Sequence, residues 1–147
     1  MYTPSPATAA STTDQTESAP HYGMSKITLL AFENAVEAIT AALKEQGFGV
    51  LTEIDVRATL KKKLDVDFRP YVILGACNPP LAHKALQTEP ELGLLLPCNV
   101  IVYDNGDGTS TVSIIDPLQM LGVVDNPELD PIAQQANVRL RSTLDSI

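Results

Sequence analysis

Two thiols are the most reactive side chains in this chain, Cys77 and Cys98, and an asparagine follows each of them, Asn78 and Asn99. A thiolate binds soft metals and attacks electrophiles, while a carboxamide offers donors and an acceptor to a ligand. The cysteines stand 21 residues apart (98 minus 77), so no CxxC-type clamp exists and the two can meet only through the fold. A cysteine just ahead of a helix feels the positive helix end, which favours thiolate. Free cysteine is also among the most buried residue types, and packing is the first reading of each thiol taken alone. Contact with a metal or ligand comes second, and thiol redox chemistry third.

His83 would complete a Cys77, Cys98, His83 metal set. At about 100° per residue, however, Leu81, Ala82, Ala85 and Leu86 form one apolar arc and His83 points well away from its centre. A rim or surface histidine is the plainer reading. His21, the second histidine, has no helical neighbours to orient it. Asp104, Asp107, Asp116 and Asp125 fall in predicted turns or at strand ends, where carboxylates usually bond the local backbone. The run Asp104-Asn-Gly-Asp-Gly108 has the composition of a calcium loop but lacks the later bidentate Glu. Gly47, Gly49 and Gly75 make neither a GxGxxG nor a P-loop pattern, and there is no GxSxG elbow. No catalytic signature emerges and no cofactor is specified.

The elements that must position these residues are legible from periodicity. Tyr22–Leu30 reads as a strand. From Phe32 the period becomes helical, with Ala35, Val36, Ile39, Ala42 and Leu43 on one face and Gly47 as the stop. Phe48–Ile54 is a second strand, and Val56–Leu64 a short amphipathic helix carrying Lys61, Lys62 and Lys63. Tyr71–Ala76 is a compact buried strand. Asn78 then resembles a helix N-cap with Pro79 in the first helical position, and Pro90 stops that helix after Glu89. Val100–Tyr103 and Thr109–Ile115 are strands joined by the glycine-rich turn. A short turn or helix runs through Leu121, and a last helix from Asp130-Pro131 lines up Ile132, Ala136, Leu140 and Leu144. A hairpin is antiparallel by construction. The expected architecture is therefore α+β, with a mixed, largely antiparallel sheet of about five strands and helices packed on it. Residues 1–20 are Ser, Thr, Ala and Pro-rich and read as a disordered tail before one domain over residues 21–147.

Composition limits the partners. Ten basic residues against eighteen acidic ones give a net charge of −8, which disfavours nucleic acid. Lys61–Lys63 sits among acidic neighbours and reads as a solvated helix face. No stretch approaches the roughly 20 apolar residues of a membrane span, and the start has no secretory pattern. The expectation is a cytoplasmic chain with reduced cysteines, apart from membranes.

Three segments taken together carry a resemblance: Glu45-Gln-Gly-Phe-Gly-Val-Leu-Thr-Glu-Ile-Asp55, Ile73-Leu-Gly-Ala-Cys-Asn-Pro-Pro-Leu-Ala-His83 and Gly93-Leu-Leu-Leu-Pro-Cys-Asn-Val100. In order and spacing, from Tyr22 to the closing Asp116-Pro117, the chain resembles the bacterial and archaeal domain-of-unknown-function 302 family. The resemblance implies a small α/β domain that pairs with itself and supplies no reaction. The functional expectation is a homodimeric binding module whose pocket, lined by Cys77, Asn78, Cys98 and Asn99 with His83 at its edge, holds a metal ion or small ligand. The alternatives are an enzyme using a Cys thiolate with His83 as base, and a purely structural interaction domain.

Overall fold

Burial along the strands follows the period of two that alternating side chains impose. In β3 (Tyr71–Cys77) Val72, Leu74 and Ala76 are buried, and in β4 (Cys98–Asp104) Cys98, Val100 and Val102. β5 (Ser110–Ile115) buries Val112 and Ile114 on the same side, and β1 (Gly23–Thr28) contributes Met24. β2 (Gly49–Asp55) differs, since none of its residues is buried. The structure is a computed structural model that describes residues 20–147; the expected tail lies, but for residue 20, outside the described residues.

The strands form one sheet in the order β1-β5-β4-β3-β2, and every pairing is antiparallel. The mixed sheet expected from the helix–strand alternation thus becomes a wholly antiparallel one. The reason is that α1 (Phe32–Glu45) carries the chain from one edge of the sheet to the other. Fourteen residues at about 1.5 Å rise give roughly 21 Å, close to the roughly 19 Å between the outer strands of a five-stranded sheet. β1 and β2 run the same way but never touch.

α1 buries Ala35, Ile39, Ala42 and Leu43, the face read from the sequence. It ends in Gly47, whose φ of +83° is open to glycine at little cost, and Phe48 folds back to donate to the Leu43 carbonyl at 2.9 Å. α5 (Asp130–Asp145) lies beside α1 on the same side of the sheet and buries Ala133, Ala136, Leu140 and Leu144. Lys26 of β1 ties down the end of α5, donating to the Leu144 and Asp145 carbonyls at 3.4 Å and to that of Ile147. α4 (Pro117–Gly122) is capped by Asp116, whose carboxylate accepts from Leu118 N at 2.9 Å and from Asn137 Nδ2 at 3.1 Å. Asp116 thereby joins α4 to α5.

α2 (Val56–Leu64) departs from expectation, because this helix buries no residue at all. Its lysines are solvated as expected, and Lys61 reaches Asp65 at 3.0 Å in an exposed pair worth little. The Asp104–Gly108 segment forms the expected turn, with positive φ at Gly106 and Gly108 and Thr109 donating to Asp107. No helix among the described residues is long and apolar enough to cross a membrane.

Candidate functional site

The segment from β3 to β4 builds the site. β3 ends at Cys77, and Asn78 turns the chain into α3 (Pro79–Thr88). The Asn78 Oδ1 accepts from Leu81 N at 3.1 Å, which is the N-cap expected from sequence, with Pro79 in the first turn. That bond fixes which way the carboxamide points and leaves Nδ2 beside Gly47, where an added Cβ would stand 3.0 Å from it. The side chain is buried. After α3 the chain makes a 3₁₀ turn over Pro90–Leu95, which periodicity did not anticipate, and returns through Pro97 to β4. Cys98 opens that strand rather than preceding it; Pro97 lacks an N–H, so the ladder begins one residue later.

Between α3, this 3₁₀ turn, the β4 start, α4 and α5 lies a cavity of about 290 Å³. Leu81, Ala85, Leu92, Met120, Leu121 and Ile132 supply much of its apolar wall. Cys77, Asn78 and Cys98 line it too, so three of the residues singled out from sequence share one wall. The other two do not join them. Asn99 alternates to the opposite side of β4 and is exposed, and His83 is exposed on α3 and does not line the cavity. Among the described residues no group of three or more His, Cys, Asp or Glu side chains is placed to hold a metal ion, so the Cys77, Cys98, His83 set is not assembled.

Both cysteines are free thiols. Burial pushes the Cys98 thiol up to about 11, with the nearby Cys77 adding to the rise, and burial raises Cys77 as well. Desolvation of the charged form therefore outweighs any pull from the α3 N-terminus. At neutral pH both sulfurs are protonated and behave as small, weakly polar groups.

Gly75 sets the distance between β3 and the Pro97 turn. A Cβ there would overlap the Thr52 side chain and come within 2.8 Å of Pro97 Cγ. Gly75→Val is expected to destabilise the fold by about 1–3 kcal/mol through overpacking, measured by urea denaturation. Gly49→Ala is the contrast. Nothing lies within 4 Å of a Cβ built at Gly49, so that change is expected to be neutral or stabilising by up to about 1 kcal/mol.

The residues that sequence reasoning missed are the apolar ones after α3: Leu92 of the 3₁₀ turn, and Met120, Leu121 and Ile132 beyond β5. Leu92, Met120 and Leu121 stand as isolated apolar side chains in short segments with no period long enough to assign a face. Ile132 lay on the periodic face of the last helix, and only its place in the cavity wall was missed.

No curated protein matches the chain. The fold is similar to the crystal structure of an uncharacterized conserved protein DUF302 from Bacillus stearothermophilus, with a TM-score of 0.79 and 31% sequence identity over 86% of this chain and 98% of that one. The family described as Domain of unknown function DUF302 matches residues 24–147, which takes in all five strands but for Gly23 and the whole of the cavity wall, and the chain belongs to that family.

Proposed function

We propose that this protein is a binding module that takes a compact, largely apolar ligand bearing one hydrogen-bond acceptor, and that it works as a self-associated unit. The observation that carries the reading is the cavity of about 290 Å³ whose largely apolar wall includes the Asn78 carboxamide, with an Nδ2 donor that the helix cap does not use. Ligand sites are mostly apolar with a few convergent polar groups, and this volume sits at the small end of their range. Asn78 Nδ2 would meet a carbonyl or hydroxyl oxygen, while Cys77 and Cys98 give a soft, polarisable edge. Asn99, on the other side of the sheet, is left out of this ligand set. A thiol-dependent reaction finds less support, because burial raises both thiols and His83 does not line the cavity. Two free cysteines accord with a reducing, cytoplasmic setting.

Native mass spectrometry of the purified protein tests for a retained ligand, and titration with octan-2-one and acetophenone, followed by NMR, tests the bare cavity. Both ketones are expected to shift signals of Ala82, Ala85 and Met120. Ala82→Leu, which fills the cavity from its half-exposed side, should abolish those shifts with the fold intact. Asn78→Ala should weaken ketone binding several-fold and also lower stability by about 0.5–2 kcal/mol through loss of the cap. Unshifted spectra together with a bare polypeptide mass would overturn the reading.

A further inference from the structure

The helices cover one side of the sheet, and the uncovered side holds a depression of about 1180 Å³. Strand alternation supplies its floor, because Val100, Val102, Val112 and Ile114 turn inward and their strand neighbours turn out. Cross-strand register sets Tyr103, Thr111 and Ile27 in one row and Ile101, Ser113 and Ser25 in the next. The Ser25 and Ser113 hydroxyls bond each other at 2.6 Å, and Tyr103 is braced by stacking on Tyr71 with centroids 5.4 Å apart. Apolar groups and hydroxyls thus share one floor.

One end of the depression is a hydrogen-bonded wall with a direction. The Thr111 hydroxyl donates to Asn105 Oδ1 at 2.9 Å, and Asn105 Nδ2 donates to the Thr109 hydroxyl at 3.0 Å. Thr109 in turn donates to the Asp107 carboxylate, from its hydroxyl at 2.6 Å and its backbone N–H at 3.0 Å. Those two bonds hold the Asp107 carboxyl below its usual range. Thr111 lies on the uncovered side yet is only 8% exposed, which fixes the chain of bonds from its inner end. Both threonine hydroxyl protons are spent inside this chain, so the wall offers a ligand mainly lone pairs.

We propose that this depression is a second binding site, for a short chain of uncharged sugars, acting independently of the apolar cavity. Sugar hydroxyls bring the donors that the wall lacks, whereas a carboxylate or phosphate would set lone pairs against lone pairs. The ionised side chains lining the site leave no net charge for an ionic ligand. Arg69, over the Tyr103 ring at 5.4 Å, offsets Asp107, and the Lys26 ammonium is held by the carbonyls at the end of α5. The charge of −8 on the whole chain disfavours an anion further. A sugar ring presents apolar C–H faces between hydroxyl edges, which suits Ile27, Ile101 and Tyr103 set beside Ser25 and Ser113. Asn99, exposed near the start of β4, adds a carboxamide donor and acceptor away from the wall. The volume exceeds the roughly 300–1,000 Å³ of most small-molecule sites, so linked sugars fit it better than a single one.

Amide NMR titration of the full chain with cellotriose and with triacetylchitotriose tests the site. At least one of the two is expected to bind with a Kd in the millimolar range and to shift the amides of Ile101, Thr111 and Ser113. Asn99→Ala and Thr111→Val are each expected to weaken that binding at least threefold. Val138→Lys, on the exposed side of α5, should leave it unchanged. The wild-type shift map stands whatever Thr111→Val does to folding, and Asn99 is exposed, so its truncation spares the core. Trigalacturonate, an anion, and spermidine, a cation, should leave the same amides in place. Absence of shifts with both sugars, or shifts confined to Ala82, Ala85 and Met120 of the other cavity, would overturn the site. Wild-type affinity in both variants would overturn it as well, and tighter binding of either charged probe would overturn the ligand class.

Discussion

Leu140→Ala is expected to lower the stability of this protein by about 2–5 kcal/mol. Leu140 is 0% exposed and belongs to the cluster in which α1 and α5 close over β4 and β5. Truncation to Ala removes three carbons from a site walled by helix and sheet on opposite sides, where relaxation is small. The cost is the lost transfer energy plus that of the cavity left behind. A chain of this size has roughly 5–15 kcal/mol of net stability in all, so the change takes a large share of it. Urea denaturation followed by far-UV circular dichroism measures the effect. Val138→Ala, on the same helix but 65% exposed, should shift the midpoint by less than about 0.5 kcal/mol equivalent. Equal effects at the two positions would mean that α5 does not pack as described.

Alkaline pH should expose the second large effect. The Cys98 thiol ionises near 9.0 when solvated and at about 11 in the fold. A group whose folded pKa is raised contributes stability that is complete below the unfolded value and lost as pH rises through the folded one. For Cys98 the window runs from about pH 9 to about pH 11, and the loss is on the order of 2 to 3 kcal/mol. Tyr71 is raised as well, chiefly by burial and then by Tyr103 and Tyr22, but it is more open to solvent and adds less. Denaturant titrations of wild type and Cys98→Ala at pH 8, 9, 10 and 11 isolate the cysteine. The wild type should lose its advantage over Cys98→Ala as pH climbs through this window. Parallel stability curves would show that Cys98 is solvated in the fold. The same burial predicts that a thiol reagent at pH 8 modifies Cys77 well before Cys98.

The elements themselves were largely legible in the sequence. α1 announced its buried face through Ala35, Ile39, Ala42 and Leu43, and α3 its start through Asn78 and Pro79, because caps and helical periods are local codes. The glycine-rich turn before β5 was legible for the same reason, and so was the α+β class. Where short-range signals were weak the reading was incomplete. The 3₁₀ turn at Pro90–Leu95 has no period of its own, and α2 has an amphipathic pattern with no core to receive it.

What the sequence determined alone was therefore everything written within about a dozen residues: strand and helix types, the Asn78 cap, the Gly47 stop and the acidic balance. The tertiary structure decided what lies between distant segments. It made the sheet wholly antiparallel by sending α1 across its width, so that β1 and β2 occupy opposite edges. It brought Cys77 and Cys98 to one cavity wall while turning Asn99 to the opposite side of the sheet and leaving His83 in solvent. Neighbouring residues on a strand point to opposite faces, so a one-residue step separates Asn99 from Cys98, whereas register sets Cys98 opposite Ala76 and so brings it beside Cys77 at the end of β3, where the chain leaves the strand.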